Sequence, residues 1–317
     1  MKTLLRNEQN IAKPEIINYR VRSILKVLVY FDLFRYPLKP DEIRTFLDQQ
    51  ISEDELKDSL NKLTQLRRIF KLNEFYSLQN DVSLVERRRK GNTEAICLLA
   101  KAERIAGLLY KFPYVRAIGI SGSLSKNFAD EKADIDYFII TKADRLWIAR
   151  TFLHLFKKIP FIKGPKKFYC MNYFVDEAGL VIEEKNIYTA TELVTLIPMA
   201  GNGSMKKFFE TNAWSFNYFP NQGLPPVKEG IKKPEPWFKK FSEYLLNNKL
   251  GNWIDDYLMK LTTRRWQKKE AEHRLNTKGE RMGLKTGKHF SKPNPIFFHD
   301  RFLSNYANRL AEIEKKL

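Results

Sequence analysis

Two apolar runs of strand length, separated by a short polar interval, most constrain what this chain can fold into. The first, Val115–Ser121, contains a single charged residue, and the second covers residues 133–141. Apolar runs of this length bounded by turn residues are typical of buried strands. A helical apolar pattern follows at residues 145–158, and a further strand-like run at 167–175. The order strand, turn, strand, helix, strand predicts an α/β fold of the α+β class.

Two aspartates, Asp134 and Asp136, interrupt the second apolar run with only Ile135 between them. Alternate residues of a strand face the same side and lie about 6.6 Å apart along it. Two like charges held together at a buried strand are costly unless a cation lies between them, and a divalent metal is the usual solution. The pair therefore predicts a metal site, although an Asp-x-Asp pair alone also occurs on ordinary surface strands.

The aspartates follow the dipeptide Gly122-Ser123 after a spacer of ten residues. This arrangement resembles the signature of the DNA polymerase beta-like nucleotidyltransferase superfamily: an apolar strand, Gly-Ser, a spacer of about this length and acid-apolar-acid. The resemblance implies a mixed-sheet core in which Asp134 and Asp136 are catalytic and bind Mg²⁺ or Mn²⁺. It also implies that Gly122, Ser123 and Lys126 contact the phosphates of a nucleoside triphosphate, the substrate.

Superfamily members commonly carry a third carboxylate on a later strand, and the corresponding polar position here is Asn172. An amide can coordinate a metal or support catalysis through its carbonyl oxygen, but it cannot take a proton. Asp176 and Glu177, at the end of that strand, are interpreted as solvated turn residues more readily than as the missing acid. Two functions stay open. One is Mg-dependent transfer of a nucleoside monophosphate to an unidentified acceptor, and the other is a non-catalytic nucleotide- or nucleic-acid-binding regulatory protein.

Three helices and a short hairpin are predicted before this core. Helical spacing begins near Tyr19, a second helix opens at Pro40, and Ser52-x-x-Glu55 is a capping box that starts the third. Two short strands then flank the turn at residues 73–74. This order resembles a winged helix, and because the third helix mixes acids with lysines, protein packing stays as open as DNA binding.

The remaining segments complete the expected organisation. One helix, interrupted at Gly91, joins the first domain to the core, and the chain beyond Asn186 is expected to be helical. The predicted domains are a winged-helix-like domain at 1–85, a nucleotidyltransferase core with its linker helix at 86–220, and a basic C-terminal helical region at 221–317.

The charge of the chain favours polyanionic partners. The formal net charge is +19, and residues 260–292 contain eleven Lys or Arg against three acids. RNA, DNA or protein is therefore the expected class of acceptor. No apolar run reaches the roughly 20 residues of a membrane helix, so a cytoplasmic protein with no membrane partner is expected. Cys97 and Cys170 lack metal-site spacing and are expected to be buried.

Overall fold

The computed structural model describes residues 5–130, 133–158, 169–223, 236–273, 275, 281–295 and 298–315, with side chains undescribed at 5–18, 158, 169, 172, 202, 294 and 295. The chain divides into two compact units. One comprises Met1–Lys90, Trp214–Gly223 and His299–Leu317, and the other Gly91–Ala213 and Leu224–Phe298. Both units contain helices and strands, so the fold is α+β, as the sequence predicts.

The first unit begins with the three helices and the hairpin that the sequence predicts. Ser52 caps the third helix, because its Oγ accepts from Glu55 N at 3.2 Å while its own N–H donates to Glu55 Oε2 at 3.1 Å. Leu38 adds a bridge to Tyr76 beside the hairpin. The elements are α1 Leu5–Asp32, α2 Pro40–Thr45, α3 Glu53–Gln65, β1 Phe70–Leu72 and β2 Phe75–Ser77.

Helix α4, Ser83–Leu109, is continuous, so the expected interruption at Gly91 is wrong. A Cβ at Gly91 would lie 2.2 Å from the ring of Phe128. Glycine at this position therefore admits a close contact with an aromatic ring and does not break the helix.

The second unit is built on a six-stranded mixed sheet in the order β6-β3-β4-β5-β8-β7. Strands β4 and β5 are parallel, with helix α5 as their crossover, and the other neighbours are antiparallel. The elements are β3 Val115–Ser121, β4 Ile135–Thr141, α5 Leu146–Lys158, β5 Tyr169–Asp176, α6 Ile187–Val194, β6 Ile197–Ala200, α7 Asn202–Thr211, α8 Trp237–Leu246, α9 Lys249–Ala271, β7 Met282–Thr286 and β8 Phe290–Pro295.

The two faces of the sheet differ in what covers them. Ile135, Tyr137 and Ile139 lie in one apolar cluster with buried residues of α4 and α5. Side chains alternate along a strand, so Asp136 and Phe138 belong to the opposite face. Phe138 packs there against Phe208 of α7, with ring centroids 4.7 Å apart. Asp136, the second residue of β4, therefore lies on the α7 side of the sheet.

Two parts of the expected helical region form strands instead. Beyond Asn186, β6 pairs with β3 as an edge strand, where Pro198 costs no ladder hydrogen bond. The segment at 221–317 contains the β7–β8 hairpin, which joins the sheet through β5. The compact units also divide the chain differently from the three expected domains, because the helices and strands of 236–298 belong with the core sheet.

Helix α10, Phe298–Glu314, ends the described chain and belongs to the first unit from His299 onward. Its Phe302 packs edge-on against Tyr30 of α1, with centroids 5.2 Å apart. Cys97 is exposed and Cys170 half-buried, so the expectation that both are buried is wrong. Among the described helices, none combines the length and apolar character needed to cross a lipid bilayer.

Candidate nucleotide and metal site

The turn after β3 brings Gly122 against the carboxylate of Asp136. Ser121 is the strand partner of Asp136, so the next residue begins its turn directly beside that side chain. Gly122 has φ +70°, and a Cβ built on it would lie 2.5 Å from Asp136 Oδ2. Both the backbone angle and the space therefore require glycine, and the main chain and the carboxylate share one small volume.

A single 3-10 turn, Leu124–Lys126, follows Gly122-Ser123. The carbonyl of Ser123 accepts from Lys126 N at 3.0 Å and Phe128 N at 3.1 Å, and the residue itself is exposed. The resemblance implies a helix N-terminus at this place, but one 3-10 turn carries little dipole. Any contact of Ser123 with a phosphate would therefore use its own hydroxyl and amide groups.

Lys126 and Glu192 hold the turn in place. Lys126 Nζ lies 2.7 Å from Glu192 Oε1 and donates to the carbonyl of Gly122 at 3.0 Å. Glu192 Oε2 accepts from the amide N–H of Gly122 at 3.2 Å. The carboxylate of Glu192 binds both Lys126 Nζ and the amide N–H of Gly122, and Lys126 also binds the Gly122 carbonyl. Together these contacts form a ring around the main chain of the turn. The ammonium expected to contact phosphate is engaged in this ring.

The spacer that leads from the turn to Asp134 is anchored on α4. The ring of Phe128 fills the space left by Gly91, and Ala129 N donates to the carbonyl of Gly91 at 3.1 Å. Asn92 Nδ2 donates to the carbonyl of Asn127, which adopts φ 55°. These contacts fix the path of the chain between the two halves of the motif.

The two aspartates occupy the start of β4. Asp134 lies one residue before the strand and is exposed, and Asp136 is the second residue of the strand and half-buried. No third His, Cys, Asp or Glu joins them in a metal-binding group within the part of the chain that the structure describes. Two carboxylates nevertheless suit Mg²⁺, which usually takes one or two from the protein and completes its shell with water and substrate phosphates.

Asn172 lies at an irregularity of β5. Tyr137 pairs with Met171 and Phe138 with Tyr173, so residue 172 is the extra residue between two ladder pairs. Bulges of this kind re-aim side chains and are frequent beside functional sites. The side chain of Asn172 lies outside the described residues, and its role as the third polar residue stays a prediction.

Glu192 is the residue that the sequence argument missed. It lies on α6, 70 positions after Gly122. The signal was present, because Glu192 is the only charged residue between Ile187 and Ala200. A lone acid in an apolar segment needs a buried partner, and the sequence does not tell which lysine supplies it.

A second acidic group lies at the other end of the β4–β5 pair. Asp144, Asp176 and His289 have ligand atoms within 4.8 Å of one another. Asp176 is fully buried, so its interpretation as a solvated turn residue is wrong. Its carboxylate accepts from Asp144 N, Ala178 N, Gly179 N and His289 Nδ1 at 2.9–3.1 Å. With its lone pairs occupied in this way, the group serves as a structural clamp of the strand end.

Comparison of the chain with known proteins finds no match among family models, curated proteins or solved structures. The resemblance to nucleotidyltransferases therefore rests on the residues of the site and their arrangement.

Proposed function

We propose that this chain is a nucleotidyltransferase that uses Mg²⁺ or Mn²⁺ to move a nucleoside monophosphate from a nucleoside triphosphate to an acceptor, with release of pyrophosphate. The observation that carries the proposal is the contact of Gly122 with Asp136. A left-handed glycine, which lets a ligand such as a phosphate come close to the main chain, lies directly beside a carboxylate that could hold a phosphate-bound metal. Positive-φ glycines are common in turns, and it is the 2.5 Å approach to a carboxylate that is unusual here.

Each residue of the site has a role under this proposal. Asp134 and Asp136 would hold the metal, which supplies charge neutralisation and polarisation of the transferred phosphate. Ser123, exposed at the turn, would donate its hydroxyl to a phosphate oxygen. Lys126 and Glu192 would keep the Gly122 turn at a fixed distance from β4. Asn172 cannot accept the acceptor's proton, so water or the acceptor itself would take that role.

Labelled triphosphates test the proposal. The full chain is incubated with each of the four α-³²P-labelled ribonucleoside triphosphates, Mg²⁺ and candidate acceptors, and transfer is followed by gel and thin-layer chromatography. We expect transfer that stops when the metal is chelated and in both Asp134→Ala and Asp136→Ala. Transfer that survives both substitutions would exclude this site as its source.

Asn172 supports a second candidate, a regulatory protein that binds nucleotide without turnover. A third carboxylate contributes to catalysis in the superfamily that the motif resembles, and this chain has an amide at the corresponding position. On this alternative, calorimetry detects triphosphate binding while no label is transferred, and Asn172→Asp creates or increases transfer. On the enzymatic proposal, the unmodified chain already transfers label.

A further inference from the structure

Helix α8 packs with its polar side inward. Lys239 is only 1% exposed, and its Nζ donates to the carbonyl of Val115 at 3.0 Å. Glu243 accepts from Tyr114 N and from Arg116 Nη2, both at 2.7 Å. Because these polar groups occupy the inner side, the aromatic residues of the helix face outward. They are Trp237, Phe238, Phe241 and Tyr244.

The next helix of the same unit, α9, also carries exposed rings. Trp253 and Tyr257 are 63% and 52% exposed, and their rings are stacked at 13° with centroids 5.6 Å apart. Lys260 and Arg264 follow at helical spacing on the same side of the helix and are exposed. In the part of the chain that the structure describes, neither cation has an acidic partner. Along α9, two stacked and exposed rings are thus followed by two exposed cations that have no acidic partner among the described residues.

The composition of this surface indicates its occupant. Eight large apolar residues are exposed between residues 237 and 257, and six of them are aromatic. Exposed rings also occur at protein and lipid interfaces, and they are required for stacking on nucleobases. Cations without acidic partners add the charge complementarity that a phosphate backbone needs. On α9 the two rings come first and the two cations follow within the next two turns, so bases and neighbouring phosphates of one strand could contact the same helix.

We propose that the α8–α9 face binds single-stranded nucleic acid, with bases stacked on Trp253 and Tyr257 and phosphates beside Lys260 and Arg264. A single strand fits because the bases of a duplex are already stacked on one another and cannot reach exposed rings. Under the proposed function, this single strand would be the acceptor, and only that role rests on the proposed function. Binding itself requires no catalysis.

Fluorescence anisotropy with a labelled single-stranded RNA of about twelve nucleotides tests the binding, because this length exceeds the few nucleotides that a single helix face can contact. We expect Trp253→Ala/Tyr257→Ala to weaken binding by about tenfold to a hundredfold with little change in salt dependence. Lys260→Glu/Arg264→Glu should weaken it and flatten the plot of log K against log salt by about 1.4, that is, about 0.7 for each lost phosphate contact.

The matched control is Arg104→Glu/Lys207→Glu, which makes the same charge change at exposed positions of the same unit. We expect the control to bind the RNA within about twofold of the unmodified chain at equal salt, because two distant charges are screened. Equal weakening by the control and by Lys260→Glu/Arg264→Glu would show nonspecific attraction and overturn the proposal.

Further outcomes would also overturn it. They are no binding of RNA or DNA single strands, preference for a duplex of the same sequence, stronger association with phosphatidylserine vesicles than with RNA, or a dimer that the aromatic substitutions convert to a monomer. Asp134→Ala/Asp136→Ala separates the two proposals, because it should bind RNA normally. RNA binding without label transfer would leave this inference standing and remove the proposed function, and transfer without RNA binding would do the reverse.

Discussion

Aspartates lie at both ends of the parallel pair β4 and β5, and their surroundings differ. At one end, Asp134 is exposed and Asp136 half-buried beside a glycine turn. At the other end, about 17 Å away along the strands, Asp176 is fully buried and accepts from three main-chain N–H groups and an imidazole. A buried carboxylate saturated by protein donors stabilises the fold, and under our proposal the less buried pair at the other end holds the metal.

Removing the charge at each end separately should produce opposite phenotypes. Asp136→Asn should lower transfer by about a thousandfold or more, because the metal and the developing charge lose a ligand, and it should leave stability within about 0.5 kcal/mol. The measurements are label transfer and urea denaturation. If Asp136→Asn lost both its fold and its activity, Asp136 would be a residue that stabilises the fold.

Asp176→Ala should have the reverse effect. Three part-buried hydrogen bonds from main-chain donors to a fully buried carboxylate would be lost, so we expect the free energy of unfolding to fall by about 3 kcal/mol. The midpoint of urea unfolding reports this loss. Transfer measured well below that midpoint should be nearly unchanged, and a metal requirement abolished by Asp176→Ala would instead place the functional site at this end of the strands.

Gly122→Ala should reduce transfer by about tenfold to a hundredfold. Its Cβ would meet Asp136 Oδ2 at 2.5 Å, and the φ of +70° costs a residue with a side chain about 1 kcal/mol. Gly107 provides the control, because it lies in α4 with nothing within 4 Å of an added Cβ. Gly107→Ala should raise stability by about 0.5–1 kcal/mol and leave transfer unchanged. If Gly122→Ala and Gly107→Ala transferred label equally well, the close approach of Gly122 to Asp136 would have no role in transfer.

Glu192→Ala should lower transfer about fivefold to tenfold by raising the KM for the triphosphate, since the Gly122 turn and Lys126 lose their common partner. Glu192→Gln keeps the hydrogen-bond geometry and should recover part of the loss. Glu210→Gln on α7, whose ion pair with Lys206 is exposed and 3.8 Å long, is the control. A purely structural role would lower stability in Glu192→Ala without moving the KM.

The carboxyl group of Asp255 extends the comparison of buried and exposed aspartates to the dependence of stability on pH. It accepts from Ile148 N at 2.8 Å, but burial outweighs this bond and raises the pKa of its carboxyl to about 7. A raised pKa in the folded state means that the protonated form is favoured there, so this group makes the free energy of unfolding fall as pH rises from about 4 to about 7. Relative to Asp255→Asn, we expect the free energy of unfolding to fall by about 2 kcal/mol between about pH 5 and about pH 7. Urea denaturation at each pH measures this fall. Parallel pH profiles of the two proteins would contradict this.

The core strands and the meeting of the two motif halves could be predicted from the sequence, because strong local signals specify them. Apolar runs mark β3 and β4, and their antiparallel pairing, through a connection that begins at Gly122, places Ser121 opposite Asp136. Few contacts between residues distant in the sequence are needed to bring Gly122 beside Asp136. The prediction succeeds where pattern and turn chemistry agree.

Other features could not be predicted because they depend on tertiary partners. The ion pair of Glu192 with Lys126 spans 66 positions. The lysines of the β7–β8 hairpin obscure its alternation of apolar and polar residues, although Lys292 is half-buried and pairs with Glu184 in the folded chain. Gly91 suggests a helix break until Phe128 is known to pack on it. In each case the local pattern is ambiguous, and a distant residue decides the outcome.

Calorimetric titration with a non-hydrolysable triphosphate, with and without Mg²⁺, tests the central claim most directly. We expect binding of the unmodified chain that strengthens with Mg²⁺, loss of the Mg²⁺ dependence in Asp134→Ala/Asp136→Ala, and unchanged binding in Asp255→Asn. No binding of any triphosphate by the folded chain, or Mg²⁺-dependent binding that persists without both aspartates, would contradict the assignment of this end of β4 as a nucleotide and metal site.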